Sequence, residues 1–315
     1  MWEHIYIPTP TRLALLMESK ALGKYPIKHL KIDANLEEYG LRQVLSRVPA
    51  VHRFDVELPS VRGLAFLKFP AFRDLHTLRV ILQTTVASLS VQLDDLGPFV
   101  TPARLKKLEI SDISGLLSLT DLKTLLAPSF ETLTDLTLSC KPVMTRIPGA
   151  EVPFFRIIPF VSKHLTKLSL QDYFPPNVSR DVSKCKRLLH LEIDTIDAIA
   201  GIAVLDDSPD SIEELIYEFG VNNSVADVRA VCERLILHLS NCTKWPSLKW
   251  ITFGASIGLP FWAITDRDFM REIKDACRVR ELQFIPLILD YDDSSEIEET
   301  EEEEEEDYNE DNEEE

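Results

Sequence analysis

Cys232, His238 and Cys242 are the one group in this chain with both the residue types and the closeness of a metal site. Two thiolates and an imidazole would suit zinc. Their spacing, Cys-x5-His-x3-Cys, fits no standard zinc module and lacks a fourth ligand. Cys232 and His238 therefore read as residues of one helix. Other familiar chemistry is missing from the sequence. The ten glycines are spread singly, so no glycine-rich loop can cradle a phosphate. No G-x-S-x-G nucleophile elbow and no H-E-x-x-H pair occurs. Asp and Glu pairs fall mostly in turns or in the C-terminal tail, and spacing alone does not bring an acid and a base together. The expectation is a chain that is not an enzyme, with no catalytic, cofactor-binding or metal-binding residue.

What the chain does carry is a repeated frame that could position a surface. In Leu165-Thr166-Lys167-Leu168-Ser169-Leu170, Leu168 and Leu170 alternate with polar residues, as on a strand with one buried face, and Leu165 enters from the preceding turn. The same apolar-x-x-apolar-x-apolar frame stands at Ile27/Leu30/Ile32, Val51/Phe54/Val56, Leu75/Leu78/Val80, Leu105/Leu108/Ile110 and Leu133/Leu136/Leu138. It continues at Leu188/Leu191/Ile193, Ile212/Leu215/Tyr217, Leu248/Ile251/Phe253 and Val279/Leu282/Phe284. Successive frames lie 23 to 36 residues apart, enough for a strand, a turn, a return segment and another turn. One such unit cannot bury its apolar face alone, so units must stack.

Over about residues 25–289 this pattern resembles the leucine-rich repeat family. The resemblance implies an α/β solenoid, right-handed and curved, with an inner parallel sheet of about ten strands and helices and loops outside. The usual Asn or Cys three residues past the last leucine is present only as Asn35. Pro59, Gln83, Ile113, Lys141, Tyr173, Ile196, Gly220, Ser256 and Leu287 stand at the equivalent places. Uneven repeats without an asparagine ladder are more similar to those of F-box proteins than to those of extracellular receptors.

A second resemblance lies before the repeats. Trp2-Glu3-His4-Ile5, Thr9-Pro10-Thr11-Arg12-Leu13, Leu22-Gly23-Lys24-Tyr25 and Lys28-His29-Leu30-Lys31-Ile32 are similar to the segment that follows the F-box in fungal F-box proteins. Only Met1 precedes Trp2 here, so the helices that dock on the ligase's adaptor subunit are expected to be absent. Ubiquitin-ligase subunits are then expected partners only if an F-box is encoded upstream. Locally, residues 1–24 read as a cap. Ile5 and Ile7 alternate as a short strand, and Pro8-Thr9-Pro10 turns the chain. Thr11 can cap a helix from Arg12 to about Leu22, burying Leu13, Leu15, Leu16 and Met17, with Gly23 as its stop.

Return helices are expected over Glu37–Val48 (Leu41, Val44, Leu45 and Val48 inward), Val86–Leu96, Leu116–Leu126 and Val225–Leu239. A further one runs over Asp266–Cys277, capped by Thr265 with Asp268. Lys141–Pro159 and Asp172–Asn177 read as proline-rich loops, and Asp206–Asp210 as a turn.

The formal net charge of −18 is confined to one place. Residues 290–315 hold 18 of the 52 acidic residues and no Lys or Arg, which leaves 34 acidic against 34 basic in the rest. The body is neutral. The tail, with Glu301–Glu306 in one run, is expected to be disordered. Ser295 and Thr300 each have Glu three residues on, the weak pattern of an acidophilic kinase site. Five scattered cysteines, no signal-peptide core after Met1 and no apolar run of membrane length place the chain in the cytosol or nucleus, with no membrane partner.

Alternation predicts the inner face as the third, fifth and seventh positions of each frame. Repeats one to six mix Lys31, Arg53, Arg79, Lys107 and Lys167 with Asp33, Asp55, Glu57, Glu109 and Asp135. Repeats seven to ten carry Glu192, Asp194, Glu214, Glu218 and Glu281 without Lys or Arg, interleaved with Ile216, Trp250 and Ile285. These eight are the candidate partner-binding residues on the concave face, with an exposed Trp250 as anchor. The expected partner is a protein client of basic character. Nucleic acid is not expected, because no basic stripe is visible in the sequence. The first functional reading is a protein-binding module resembling the substrate-recognition part of an F-box ubiquitin-ligase subunit. The second is an acidic-tailed nuclear leucine-rich repeat regulator, or a histone-chaperone-like protein.

Overall fold

The computed structural model describes residues 2–20, 22–33, 38–58, 69–82, 104–112, 119–141, 153–220, 223–255 and 267–287. Within them every strand lies beside the one before it in the chain. Eleven parallel strands form one sheet in chain order. They are β1 Trp2–Ile7, β2 Ile27–Ile32, β3 Val51–Leu58, β4 Thr77–Leu82, β5 Lys107–Asp112, β6 Asp135–Cys140, β7 Lys167–Asp172, β8 His190–Thr195, β9 Glu214–Phe219, β10 Trp250–Ala255 and β11 Gln283–Leu287. The return segments carry α1 Pro10–Glu18, α2 Glu38–Arg47, α3 Leu119–Leu126, α4 Ile158–Val161, α5 Ser179–Val182, α6 Ala198–Asp207, α7 Val225–Ser240 and α8 Arg267–Val279. A parallel pair needs such a crossover to bring the chain back to its starting edge.

The frame seen in the sequence sets the register. Leu30, Phe54, Leu78, Leu108, Leu136, Leu168, Leu191, Leu215 and Ile251 form one row across β2 to β10. All nine are at most 1% exposed. Burying a side chain of this size stabilises the fold by about 1.5–3 kcal/mol, but only when the strand on each side is in place. The alternate positions of β4, β5, β8 and β9 are half-buried or exposed, so the sheet has a buried face and an open one.

The tenth frame is shifted by two residues. Phe284, not Leu282, stands beside Ile251. Val279 closes α8 and is 80% exposed, and Leu282 precedes β11. Among the described residues the strand count is eleven rather than about ten, since the N-terminal strand β1 joins the sheet beside β2.

Several local expectations need correction. Thr9, not Thr11, caps α1, which ends at Glu18. Leu13 is buried, but Leu15 is 64% exposed. Gly23 does take a left-handed φ of +99, but five residues beyond Glu18, where the helix ends. Asp206 and Asp207 end α6 instead of forming a turn, and the buried Ser208 follows them. The ends of both proline-rich stretches are helical: Pro153–Ile157 runs into α4, and Pro176–Val178 into α5. Phe154 and Phe155 there are buried, so this is core rather than loop. The expected helix at Val86–Leu96, the Thr265 cap, Asn35 and the tail lie outside the described residues.

Other expectations stand. α2 buries Val44 and Leu45, with Val48 buried just beyond it. α7 starts at Val225 as expected, and the structure adds a capping box in which the Ser224 hydroxyl accepts from the Asp227 N–H and the Asp227 carboxylate accepts from the Ser224 N–H. The far edge of the sheet is blunted by proline. The Gln283 N–H donates back to the Lys249 carbonyl, so by alternation Phe284 and Pro286 point to the outer edge of β11. Pro286 removes one of the few donors that a further strand could use there.

Candidate partner-binding face

Three rows of side chains cross the open face near its C-terminal end. The first runs Lys167, His190, Glu214, Trp250, Gln283, and the second Ser169, Glu192, Ile216, Thr252, Ile285. The third runs Gln171, Asp194 and Glu218, and ends at the bare backbone of Gly254. Neighbours within a row stand one strand spacing apart, about 4.8 Å. The structure thus brings seven of the eight predicted residues onto one surface. Glu281 is the exception: the shifted register leaves it in the turn before β11, exposed, at φ 58.

Trp250 is half-buried rather than exposed. Its indole N–H donates to the Glu214 carboxylate, and His190 Nδ1 bonds the same group. Burial works against the Glu214 charge, but these two partners outweigh it and hold the carboxyl below its usual range. Glu214 is therefore committed to orienting Trp250.

The remaining acids are handled differently. On β2 to β5 the open-face charges neutralise each other. Arg53 and His29 both bind Asp55, and Arg79 meets Glu109 at 2.6 Å. Burial opposes the Asp55 charge, yet the bonds from Arg53 and His29 keep its carboxyl low. For the acids of β8 and β9 other than Glu214, no cation among the described residues does this. Among the described residues Glu192 accepts from the Gln171 amide, at 3.0 Å, and from no cation. Burial, and then the carboxylates of Glu218, Asp172 and Glu192, push Asp194 up to about 6, against a weak opposing pull from Lys141. Burial and Glu192 raise Glu218 in the same direction.

Asp172 was not foreseen as part of this cluster. It ends β7 at a left-handed φ of 64, with the Ser139 hydroxyl donating to its carboxylate. It sits at an eighth position of its repeat, which the alternation rule assigns to the buried side. Thr252, Gln171 and His190 were equally available to that rule.

The surface is therefore an apolar strip, Ile216–Thr252–Ile285, with an oriented indole on one side and under-compensated carboxylates on the other. Ile285 is 40% exposed. Such a strip can take an apolar side chain while its flank takes a cation. Among the described residues no group of three or more His, Cys, Asp or Glu could hold a metal ion. His238 instead pairs with Asp206 at 2.7 Å, Cys232 is buried in α7, and Cys242 is exposed. None of the five cysteines is in a disulfide. Burial pushes Cys185 up to about 12 and Cys277 to about 11, so neither is a ready nucleophile. No helix among the described residues is long and apolar enough to cross a membrane.

The charge crowding has a measurable consequence. The folded value of Asp194 lies above its unfolded value of about 3.9, so its ionisation opposes folding at neutral pH and ceases to do so below pH ~4. Asp194→Asn is expected to raise the melting temperature at pH 7.5, by an effect on the order of 1–3 kcal/mol, and to change nothing at pH 4. Equal shifts at both pH values would show that the carboxylates do not repel one another as the geometry requires.

No family model matches the chain. No curated protein matches it in sequence either, which leaves the open face and the repeat pattern as the ground for reading its function.

Proposed function

We propose that residues 1–315 act as a non-catalytic protein-binding module of the leucine-rich repeat type, resembling the substrate-recognition part of an F-box ubiquitin-ligase subunit. Nine repeat frames in one buried register support the repeat reading. The observation that carries the binding reading is the strip Ile216–Thr252–Ile285 beside Asp194 and Glu218, which form no ion pair among the described residues, although Asp194 feels a weak pull from Lys141. A basic protein client would lay apolar side chains on the strip and bring Lys or Arg to the carboxylates. That contact relieves repulsion already present in the free protein, so it is favourable at neutral pH and weakens as pH falls through about 6. Trp250, held by Glu214, supplies rigid contact area at the centre. Any ubiquitin transfer is then the work of other subunits.

A second reading is favoured by a different observation. All the excess negative charge sits in residues 290–315. That is the arrangement of an acidic-tailed nuclear leucine-rich repeat regulator or a histone-chaperone-like protein, in which the tail rather than the sheet holds the client.

One experiment separates the two. Binding of core histones, as a basic probe, is measured across a salt series for the intact chain, a chain ending at residue 289, and Trp250→Ala. On the receptor reading Trp250→Ala loses about 2 kcal/mol, or roughly 30-fold, at every salt concentration and mainly through the off-rate. Removal of the tail should weaken binding only at low salt, because long-range attraction is screened with a Debye length of about 8 Å at physiological ionic strength. Loss with the tail alone, at all salt concentrations, would put the second reading ahead. Unchanged binding in both variants would sink the proposed site.

A further inference from the structure

The edge at which the strands begin carries a cluster of cations that the partner-binding face does not use. Arg104, Lys106 and Lys107 lead into β5, Lys163 precedes β7, and Lys186 and Arg187 precede β8. All six are exposed. They are brought together by the sheet, since backbone bonds align these leading ends. The Thr134 N–H donates to the Lys106 carbonyl, Thr166 to Thr134 and Leu189 to Thr166, each at 2.9 Å. Acids are interspersed. Glu131 precedes β6 and Asp135 opens it beside Lys107, where it accepts from the Thr134 hydroxyl at 2.6 Å; Asp181 and Glu213 are held by Lys184 and Lys249, and Asp210 is exposed before β9.

Elsewhere along the same edge several cations are matched, although Lys24 before β2 and Arg73 before β4 have no ion pair among the described residues. Lys28 pairs with Glu3, Lys184 with Asp181 and Lys249 with Glu213. None of the six takes part in an ion pair among the described residues. A local excess of positive charge on a body that is neutral overall calls for an anionic occupant.

We propose that this basic edge is the docking site of the chain's own acidic segment, residues 290–315. The charges are complementary: 18 carboxylates and no Lys or Arg in the segment face six unpaired cations. The reach is sufficient. The segment leaves the sheet at the far end of β11. From there the basic edge lies about 20 Å back along the strands and about 19 Å across four of them, or roughly 30 Å in a straight line. The 28 residues from 288 to 315 can extend about 90 Å. Tethering makes the encounter intramolecular, with an effective concentration in the millimolar range for a linker that spans the gap. The carboxylates of β8 and β9 repel the same segment and steer it away from the partner-binding face. This docking does not rest on the function proposed above and stands or falls separately.

The test uses the full chain. A water-soluble carbodiimide joins carboxylates to amines in direct contact, and the products are mapped by mass spectrometry at low salt and at high salt. Crosslinks from the tail should concentrate on Lys106, Lys107, Lys163 and Lys186, several-fold above the equally exposed Lys20, Lys24 and Lys274, and should fade with salt. In a mixture of isotopically light and heavy chains they should fall within single chains. Arg104→Glu combined with Arg187→Glu leaves the reactive lysines in place and should cut their crosslinks several-fold, with the melting temperature confirming that the variant is folded. Crosslinks spread evenly over all exposed lysines, crosslinks only between chains, or indifference to the two charge reversals would each overturn the proposal. So would an oligothymidylate that shields these lysines from acetylation while the tail does not, since nucleic acid would then be the occupant.

Discussion

Leu168→Asp is expected to unfold the protein, whereas Lys167→Asp, one residue away, is expected to leave it folded. Leu168 is fully buried and stands between Leu136 and Leu191 in the central row of the sheet. A carboxylate there has no cation and no donor, because every neighbour in the row is apolar. The loss combines the leucine's burial with the cost of a buried charge and should exceed about 4–5 kcal/mol, a large part of the stability of an ordinary domain. The damage should also spread, since each coil is buried only by its neighbours. Lys167 points to the open face between Asp135 and His190. Reversing its charge sets two carboxylates side by side in solvent, which costs about 1 kcal/mol or less. Thermal melts of the two variants decide the matter, and equal losses would overturn the register.

The second large effect concerns a glycine inside a helix. Gly201 of α6 lies against the side chain of Tyr217 from β9. A Cβ at Gly201 would come within 2.2 Å of the Tyr217 hydroxyl and 3.0 Å of Thr195 Cγ2. Tyr217 cannot swing away, because it is fully buried against the rings of Phe219 and Phe253, at 5.1 and 6.1 Å. Gly201→Ala should therefore destabilise by about 1–3 kcal/mol, although alanine is the better helix former by about 1 kcal/mol. The Tyr217 hydroxyl has no hydrogen-bond partner among the described residues. Tyr217→Phe should then gain about 1 kcal/mol by removing an unsatisfied buried group. In that background Gly201→Ala should cost much less, since the closest atom is gone. A double-mutant cycle by denaturant titration measures the coupling. Additive effects would mean that Tyr217 and Gly201 do not share this contact.

The repeat was legible in the sequence because its cause is local. A strand buried on one face must alternate, and a stack of coils must repeat that alternation, so the row from Leu30 to Ile251 could be written down in advance. The start of α7 was readable for the same reason, since Ser224 and Asp227 satisfy each other's backbone across a single turn. The frame at Val279 was misread because two apolar alternations overlap there by two residues. Only pairing with β10 distinguishes Leu282 from Phe284. The end of α6 was misread because Asp206 and Asp207 are turn formers by type, while tertiary partners hold Asp206 in the helix. His238 and Arg234 reach it from α7.

For the candidate face, alternation alone placed Glu192, Asp194, Ile216 and Glu218 on the open side, since side chains on one strand alternate whatever lies beyond it. What those side chains do depends on neighbours 20 to 40 residues away. Trp250 and Glu214 are joined because β9 and β10 align them. Asp194 is pushed up to about 6 because burial and the carboxylates of β7 and β9 act on it together. The basic leading edge of β5 to β8 was invisible for the same reason: Lys106 and Arg187 are 81 positions apart in sequence and three coils apart in space. Sequence determines which face a side chain takes through the two-residue period of the strand, but the charge it meets there comes from the register between strands, which only the folded stack supplies.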